Sequence, residues 1–231
     1  MNHSFFWATI GLAFLIQPAL TYAGSIKLSA QAVNLIQDDF EPSLVLTNQT
    51  DTPYVLHAEV TALDKSLSEN LIVSPSIQKL NPGQHAAFRV LPRQGYERLK
   101  PNEVYERLVI TSVAGRKKEE KSTANTRLMI NVAYDLPVIY HGESIEQHPW
   151  KKIRFENRDG QNYIVNHSES IVRIKSVTDS SEHPIAPFTN TILKPLEARI
   201  IKHETDYVHL TPINYFGYVQ DPTVLYLAMG Q

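Results

Sequence analysis

The sequence predicts an all-β protein made of two sandwich domains. Short runs rich in β-branched or aromatic residues recur along the chain, and turn-prone motifs such as NPG, DG and DP separate them. After residue 24, no segment shows the sustained 3.6-residue period of a long helix. Strands at this spacing without interleaved helices are typical of antiparallel sandwiches rather than of a parallel sheet. Residues 24–231 are long enough for two sandwiches of roughly 100 residues each.

The N-terminal segment predicts export. The apolar run FFWATIGLAFLI is short for a membrane span, and Pro18 and the small-residue motif TYAGS follow it. This pattern indicates a signal peptide over residues 1–23 with cleavage after Ala23, although no Lys or Arg precedes the run. An uncleaved anchor or a buried N-terminal helix is the alternative. We expect an exported protein without stable membrane insertion, and because the chain has no cysteine, its domains must be stable without disulfides.

The predicted strands fall into two groups with a polar joint between them. The first group is SLVLTN, YVLHAEVTAL, HAAFRVLP, ERLVITSV and RLMINVAY, and the second is KIRFEN, YIVNH, IVRIKSV, ARIIKH and TVLYLAM. Pro137 ends the long alternating strand, and Gly142, Glu143 and Ser144 form the joint. We therefore expect domains at residues 24–141 and 146–231.

Composition and motifs argue against several classes of function. The net charge of -2 provides no general attraction to nucleic acid. The nine histidines are scattered without an HExxH spacing, and the sequence has no cysteine nucleophile and no G-x-S-x-G motif. We therefore predict a protein that is not an enzyme and that uses no cofactor or metal.

The stretch NTRLMINVAYDLPVI (125–139) contains a candidate binding strand. Leu128, Ile130, Val132 and Tyr134 occupy every second position, which indicates a strand with one apolar face. Such a face usually packs against the core of its own domain. An exposed edge strand with large apolar residues instead needs a reserved partner to avoid aggregation. We expect Met129 and Ala133, on the opposite face, to contribute to the domain's own core.

Several longer segments resemble one protein family. LVLTNQTDTPYVLHAEV (44–60) and IVSPSIQKLNPGQHAAFRV (72–90) are similar to two blocks of the PapD-like periplasmic chaperones of the chaperone–usher pilus pathway. The resemblance continues through YDLPV and, more loosely, through YIVNHSESIVRIKSV, ILKPLEARII and INYFGYVQD. The residues that match the family pattern are Asn48, Pro53, Tyr54, Pro75, Leu80, Pro82, Gly83 and Arg89.

The resemblance implies a fold, a location and partners. The fold is an L-shaped pair of immunoglobulin-like domains, and the location is the periplasm. The partners are pilus subunits, which are sandwiches lacking one strand, and an outer-membrane usher. The chaperone lends the missing strand by donor-strand complementation, and here Leu128, Ile130, Val132 and Tyr134 would form the donated face. A homodimer in which two copies cover each other's donor strand is a further candidate assembly.

The residues that anchor the subunit in the family are not matched. The family uses an Arg on the first strand and a Lys on the seventh to bind the subunit's C-terminal carboxylate, and gap-free alignment places Ala32 and Val132 near these positions. Lys27, Arg107 and Arg127 are the candidate substitutes. Arg89 and Glu103 match positions that the resemblance implies form a structural ion pair near the domain interface. The alternative function is a secreted immunoglobulin-like surface or adhesion module without chaperone activity.

Overall fold

The computed structural model describes residues 25–35, 43–94, 103–115, 131–141 and 146–229. These residues form strands joined by turns, with a single turn of 3-10 helix at Pro149–Lys152. The predicted all-β class is therefore confirmed. No helix in these ranges has the length and hydropathy of a membrane span.

The first sandwich packs two sheets face to face. One sheet has the order β1-β3-β7-β5 and the other the order β2-β9-β8-β4-β6. The strands are β1 (Ile26–Leu28), β2 (Val33–Leu35), β3 (Ser43–Asn48), β4 (Tyr54–Thr61), β5 (Leu71–Ser74), β6 (Ile77–Leu80), β7 (His85–Pro92), β8 (Val104–Ala114) and β9 (Val132–Tyr140).

Two-residue alternation explains why these segments form a sandwich. In β7 the even-numbered Ala86, Phe88 and Val90 are buried, while the residues between them are exposed. Such alternation buries one face of each strand against the opposite sheet. The resulting core contains residues from β1 to β9, with Leu46, Leu56, Phe88 and Ile110 fully buried.

The second sandwich has strands in the order β13-β12-β15-β16-β10-β11-β14. Their bounds are β10 (Ile153–Arg158), β11 (Gln161–Asn166), β12 (Val172–Thr178), β13 (Thr191–Leu193), β14 (Ala198–Ile201), β15 (Tyr207–Ile213) and β16 (Thr223–Met229). Strand β16 joins the two layers, because its first half pairs with β15 and its last residues pair with β10. A separate core that includes Trp150, Phe155, Phe188 and Leu210 lies between the layers.

Candidate functional site

Strand β9 is divided into an exposed half and a buried half. Val132, Ala133 and Asp135 are exposed, and Tyr134 is half-buried. From Leu136 to Tyr140 every residue is buried. The second half therefore fixes the strand in the first domain, while the first half remains available for contact.

The exposed half of β9 also has an open edge. Along one edge β8 pairs with β9 from Val132 to Tyr140. Along the other edge β2 runs parallel to β9 but pairs only with residues 138–140. No described strand pairs with residues 132–137 on that side. Backbone N–H and C=O groups of this segment can therefore accept an additional strand.

A pocket of about 370 Å³ lies beside this open edge. Tyr134, Asp135 and Leu136 line it on β9, Leu28 lines it at the end of β1, and Ala30 and Gln31 line it from the link between β1 and β2. The open edge is thus bordered by a concave surface rather than by a flat one.

The expected division of faces on β9 is wrong. Val132 and Tyr134 lie on the same face as Leu136, Val138 and Tyr140, and Tyr134 packs against the first core. Ala133 is exposed and does not contribute to that core. One apolar face of β9 is therefore covered along its second half and 43% exposed at Val132.

Three residues predicted for subunit binding lie outside the described residues, namely Arg127, Leu128 and Ile130, and so does Met129. Lys27 lies exposed on β1, opposite Thr47 of β3.

Arg107 lies on β8 directly opposite Pro137 of β9. Its Nε is 2.7 Å from Oδ1 of Asp135, and its Nη1 is 3.3 Å from the hydroxyl of Tyr105. Partial burial acts to lower the pKa of Arg107, but the hydrogen bonds and negative charges of Asp135 and Tyr105 together act more strongly, so the pKa is raised.

Arg173, from β12 of the second domain, approaches the same tyrosine. It hydrogen-bonds Tyr105 and donates to the backbone oxygen of Asn214 at 3.3 Å. Partial burial lowers the pKa of Arg173, and the positive charge of Arg107 lowers it further. None of the described carboxylates lies within ion-pair distance of Arg173. Two guanidinium groups from different domains therefore flank one phenol, and an anion placed between them would offset their repulsion.

A buried network joins the two domains next to the cluster of Arg107, Tyr105 and Arg173. Oε1 of Glu103 lies 3.2 Å from Nδ1 of His141, and both side chains are buried. Nε2 of His141 lies 2.9 Å from Oδ1 of Asn34, whose amide nitrogen donates to the backbone oxygen of Tyr215. The ring of Tyr215 meets that of His141 edge to face at 4.2 Å. A carboxylate, an imidazole and a phenol thus connect β8, β9 and the loop after β15.

Glu103, predicted to pair with Arg89, has other partners among the described residues. Glu103 contacts His141 and accepts a hydrogen bond from the backbone N–H of Ile171 in the second domain. Arg89 lies exposed on β7, in the other sheet of the first domain. Glu103 therefore does reach the domain interface, but the end of β9 provides its partner. No sequence spacing indicated His141, Arg173 or Tyr215, because they meet Glu103 and Tyr105 only through the packing of the two domains.

The N-terminal half of the chain matches a family model. Residues 25–146 match the model described as "Pili and flagellar-assembly chaperone, PapD N-terminal domain". The chain belongs to the PapD-like chaperone family. The proteins of this family are chaperones rather than enzymes. A comparison with curated protein sequences finds no match.

Solved structures agree with this assignment at the level of the fold. A chain in the complex of Salmonella enterica SafA pilin with the SafB chaperone is 19% identical to this chain, with a TM-score of 0.72. The match covers 88% of this chain and 96% of the SafA–SafB complex chain. The E. coli chaperone DraB is 16% identical with a TM-score of 0.69, and the match covers 89% of this chain and 97% of DraB. The Pseudomonas aeruginosa CupB2 chaperone is 15% identical with a TM-score of 0.66, and the match covers 86% of this chain and 100% of CupB2. The two-domain immunoglobulin-like architecture is therefore shown for this chain.

Proposed function

We propose that this protein is a periplasmic chaperone that stabilises a pilus subunit by donor-strand complementation and delivers it to an outer-membrane usher. The observation that carries the proposal is the open edge of β9 at residues 132–137, which combines unpaired backbone with an exposed apolar face. Export by the signal peptide at residues 1–23 is part of the proposal.

The open edge supplies two kinds of binding energy. Backbone groups of residues 132–137 pair with a strand of the subunit, which gives the contact its direction and register. The apolar face then fills the subunit's groove, and each large side chain contributes about 1.5–3 kcal/mol when fully covered. Val132 and Tyr134 begin this face, and the sequence continues it at Ile130 and Leu128.

The C-terminal carboxylate of the subunit is proposed to bind at Arg107 and Arg173. Arg107 is the candidate anchor from the sequence that lies opposite the buried half of β9. Arg173 adds a partly buried guanidinium without a carboxylate partner among the described residues. A carboxylate at this position would receive charge-assisted hydrogen bonds from both domains.

Known complexes support the choice of partner. SafB is the chaperone of a complex with SafA pilin, and CsuC forms a pre-assembly complex with the tip subunit CsuE of Acinetobacter baumannii Csu pili. We assign a partner of this class to the present chain.

Co-expression with the small secreted proteins encoded beside this chain tests the proposal. We expect a one-to-one complex in periplasmic extracts, measured by affinity purification and native mass spectrometry. Val132→Asp should abolish the complex, because it places a charge inside the subunit's groove. Val55→Asp is the matched control, since Val55 is 45% exposed but lies on β4, separated from β9 by β8.

Two results would contradict the proposal. One is that none of the co-expressed proteins copurifies with the chain. The other is a complex that forms equally well with Val132→Asp. Either would favour the surface or adhesion module over the chaperone.

A further inference from the structure

The loop between β15 and β16 exposes an unusual amount of apolar surface. Phe216, Tyr218 and Val219 are 65%, 62% and 55% exposed within four consecutive positions. Scattered single apolar residues are normal on protein surfaces, but a contiguous group of large ones marks an interaction site.

The loop is ordered without a partner. Asn214 N donates to Tyr218 O at 2.9 Å, and Gly217 N donates to Asn214 O at 3.0 Å. The Asn214 side chain closes the turn by accepting from Tyr218 N at 2.9 Å. Because the loop is already folded, presenting these side chains to a partner costs little ordering entropy.

The loop is also fixed against the first domain. Tyr215 is buried against His141, and its backbone oxygen accepts from Asn34. Gly217 approaches Gln31 so closely that a Cβ at Gly217 would lie 2.8 Å from Cβ of Gln31. The exposed side chains therefore keep a fixed position relative to the link between β1 and β2.

That link borders the open edge of β9. Gln31 touches Gly217 on one side and lines the pocket formed with Tyr134, Asp135 and Leu136 on the other. The exposed loop and the proposed donor edge are thus two parts of one continuous surface that spans both domains.

We propose that Phe216 and Tyr218 form a second contact with the same pilus subunit that pairs with β9. This inference rests on the proposed function. The subunit is the occupant because a sandwich docked along residues 132–137 must lie beside Gln31 and hence beside the loop. Aromatic side chains on a rigid loop are effective anchors for such a contact. The loop would hold the body of the subunit, while β9 fills its groove.

A competition experiment tests the second contact. The wild-type chain and a variant carrying Phe216→Ser and Tyr218→Ser are co-expressed with one small secreted protein that copurifies with the wild type. Native mass spectrometry then measures the share of the subunit that each chaperone holds. We expect the variant's share to fall about tenfold relative to wild type.

Two further variants make the outcome unambiguous. Tyr226→Ser is the matched control, because Tyr226 is 73% exposed on β16 away from the loop, and it should compete equally with wild type. If the loop variant also competes equally while Val132→Asp holds no subunit, the second contact is refuted and strand donation stands. If Val132→Asp competes equally, the proposed function fails and this inference fails with it.

Discussion

At the scale of single residues, charge placement distinguishes this chain from a generic sandwich. Arg107 has a carboxylate partner in Asp135, whereas the described residues give Arg173 only a phenol and a backbone oxygen. A partly buried guanidinium with no carboxylate partner among the described residues favours the binding of an anionic group.

Replacing Arg173 with Gln tests this role. We expect subunit capture to fall about ten- to a hundredfold, since a charge-assisted hydrogen bond contributes about 1.5–3 kcal/mol. Capture is measured by competition with wild type, as for the loop variant. Lys27→Gln is the comparison variant and should have no effect, because Lys27 lies exposed on β1. Equal capture by Arg173→Gln and wild type would remove Arg173 from the carboxylate site.

Tyr215 gives the domain interface a defined response to alkaline pH. Burial raises the pKa of Tyr215 well above its usual value, and the negative charge of Glu103 raises it further. Above about pH 10 the unfolded chain ionises this tyrosine and the folded chain does not. The stabilisation that Tyr215 provides is therefore fully present below that pH and is lost as the pH rises.

Urea unfolding of wild type and Tyr215→Phe at pH 8 and pH 11 checks this expectation. Phe cannot ionise. The free energy of unfolding of Tyr215→Phe should therefore decrease by about 1 kcal/mol less than that of wild type between pH 8 and pH 11. The other tyrosines are common to both proteins and cancel in the comparison. An identical loss in both would show that Tyr215 does not titrate differently in the folded state.

At the scale of elements, β9 and the loop after β15 each combine a buried part with an exposed part. Strand β9 is buried from Leu136 to Tyr140 and exposed at its beginning, so one continuous strand belongs to the core and to the proposed binding surface. The loop after β15 has a similar double character, with Tyr215 buried and its neighbour Phe216 exposed. A functional strand or loop fixed at one end needs less ordering when it binds.

Gly217→Ala tests how strongly the loop is held against the first domain. Gly217 has φ +93° and would bring a Cβ within 2.8 Å of Cβ of Gln31, so backbone strain and an interdomain clash act together. Gly160→Ala is the matched control, because Gly160 has φ +78° with nothing within 4 Å of an added Cβ. We expect Gly160→Ala to lower the free energy of unfolding, measured by thermal unfolding, by about 1–2 kcal/mol. Gly217→Ala should lower it clearly more. Equal decreases for the two variants would mean that the loop can move away from Gln31 at little cost and is not held firmly against the first domain.

The longer strands could be predicted from the sequence, and the shorter ones could not. YVLHAEVTAL contains β4, and HAAFRVLP coincides with β7, because both alternate over enough residues to give a signal. Strands β1, β2 and β13 have only three residues each, and pairing with distant segments defines them. Sequence reasoning assigned the core to the wrong face of β9, because two-residue alternation does not show which face of a strand packs against its own domain.

The interdomain residues were beyond sequence reasoning for a different reason. Glu103 was predicted at the interface, yet its partner His141 was not, and Arg173 was not recognised as a neighbour of Arg107. These contacts join the first domain to the second across long sequence separations. They depend on the relative placement of the two domains, which residue spacing does not encode.

At the scale of the whole molecule, two separate cores are joined by polar contacts. The first core extends from Ile26 to Tyr140 and the second from Trp150 to Leu225. Between them lie the Glu103–His141–Tyr215 network and the Arg107–Tyr105–Arg173 cluster. The Arg107–Tyr105–Arg173 cluster contacts the open edge of β9 through Asp135 and the loop after β15 through the backbone of Asn214.

Hydrogen exchange measured on the free chain and on its purified complex with a pilus subunit tests the central claim most directly. We predict that the backbone amides of residues 132–137 that face the open edge of β9, which belong to every second residue, gain strong protection in the complex, because a strand of the subunit then pairs with that edge. Amides in β4, on the far side of β8, should exchange alike in both states. A stable complex in which residues 132–137 exchange as fast as in the free chain would contradict strand donation.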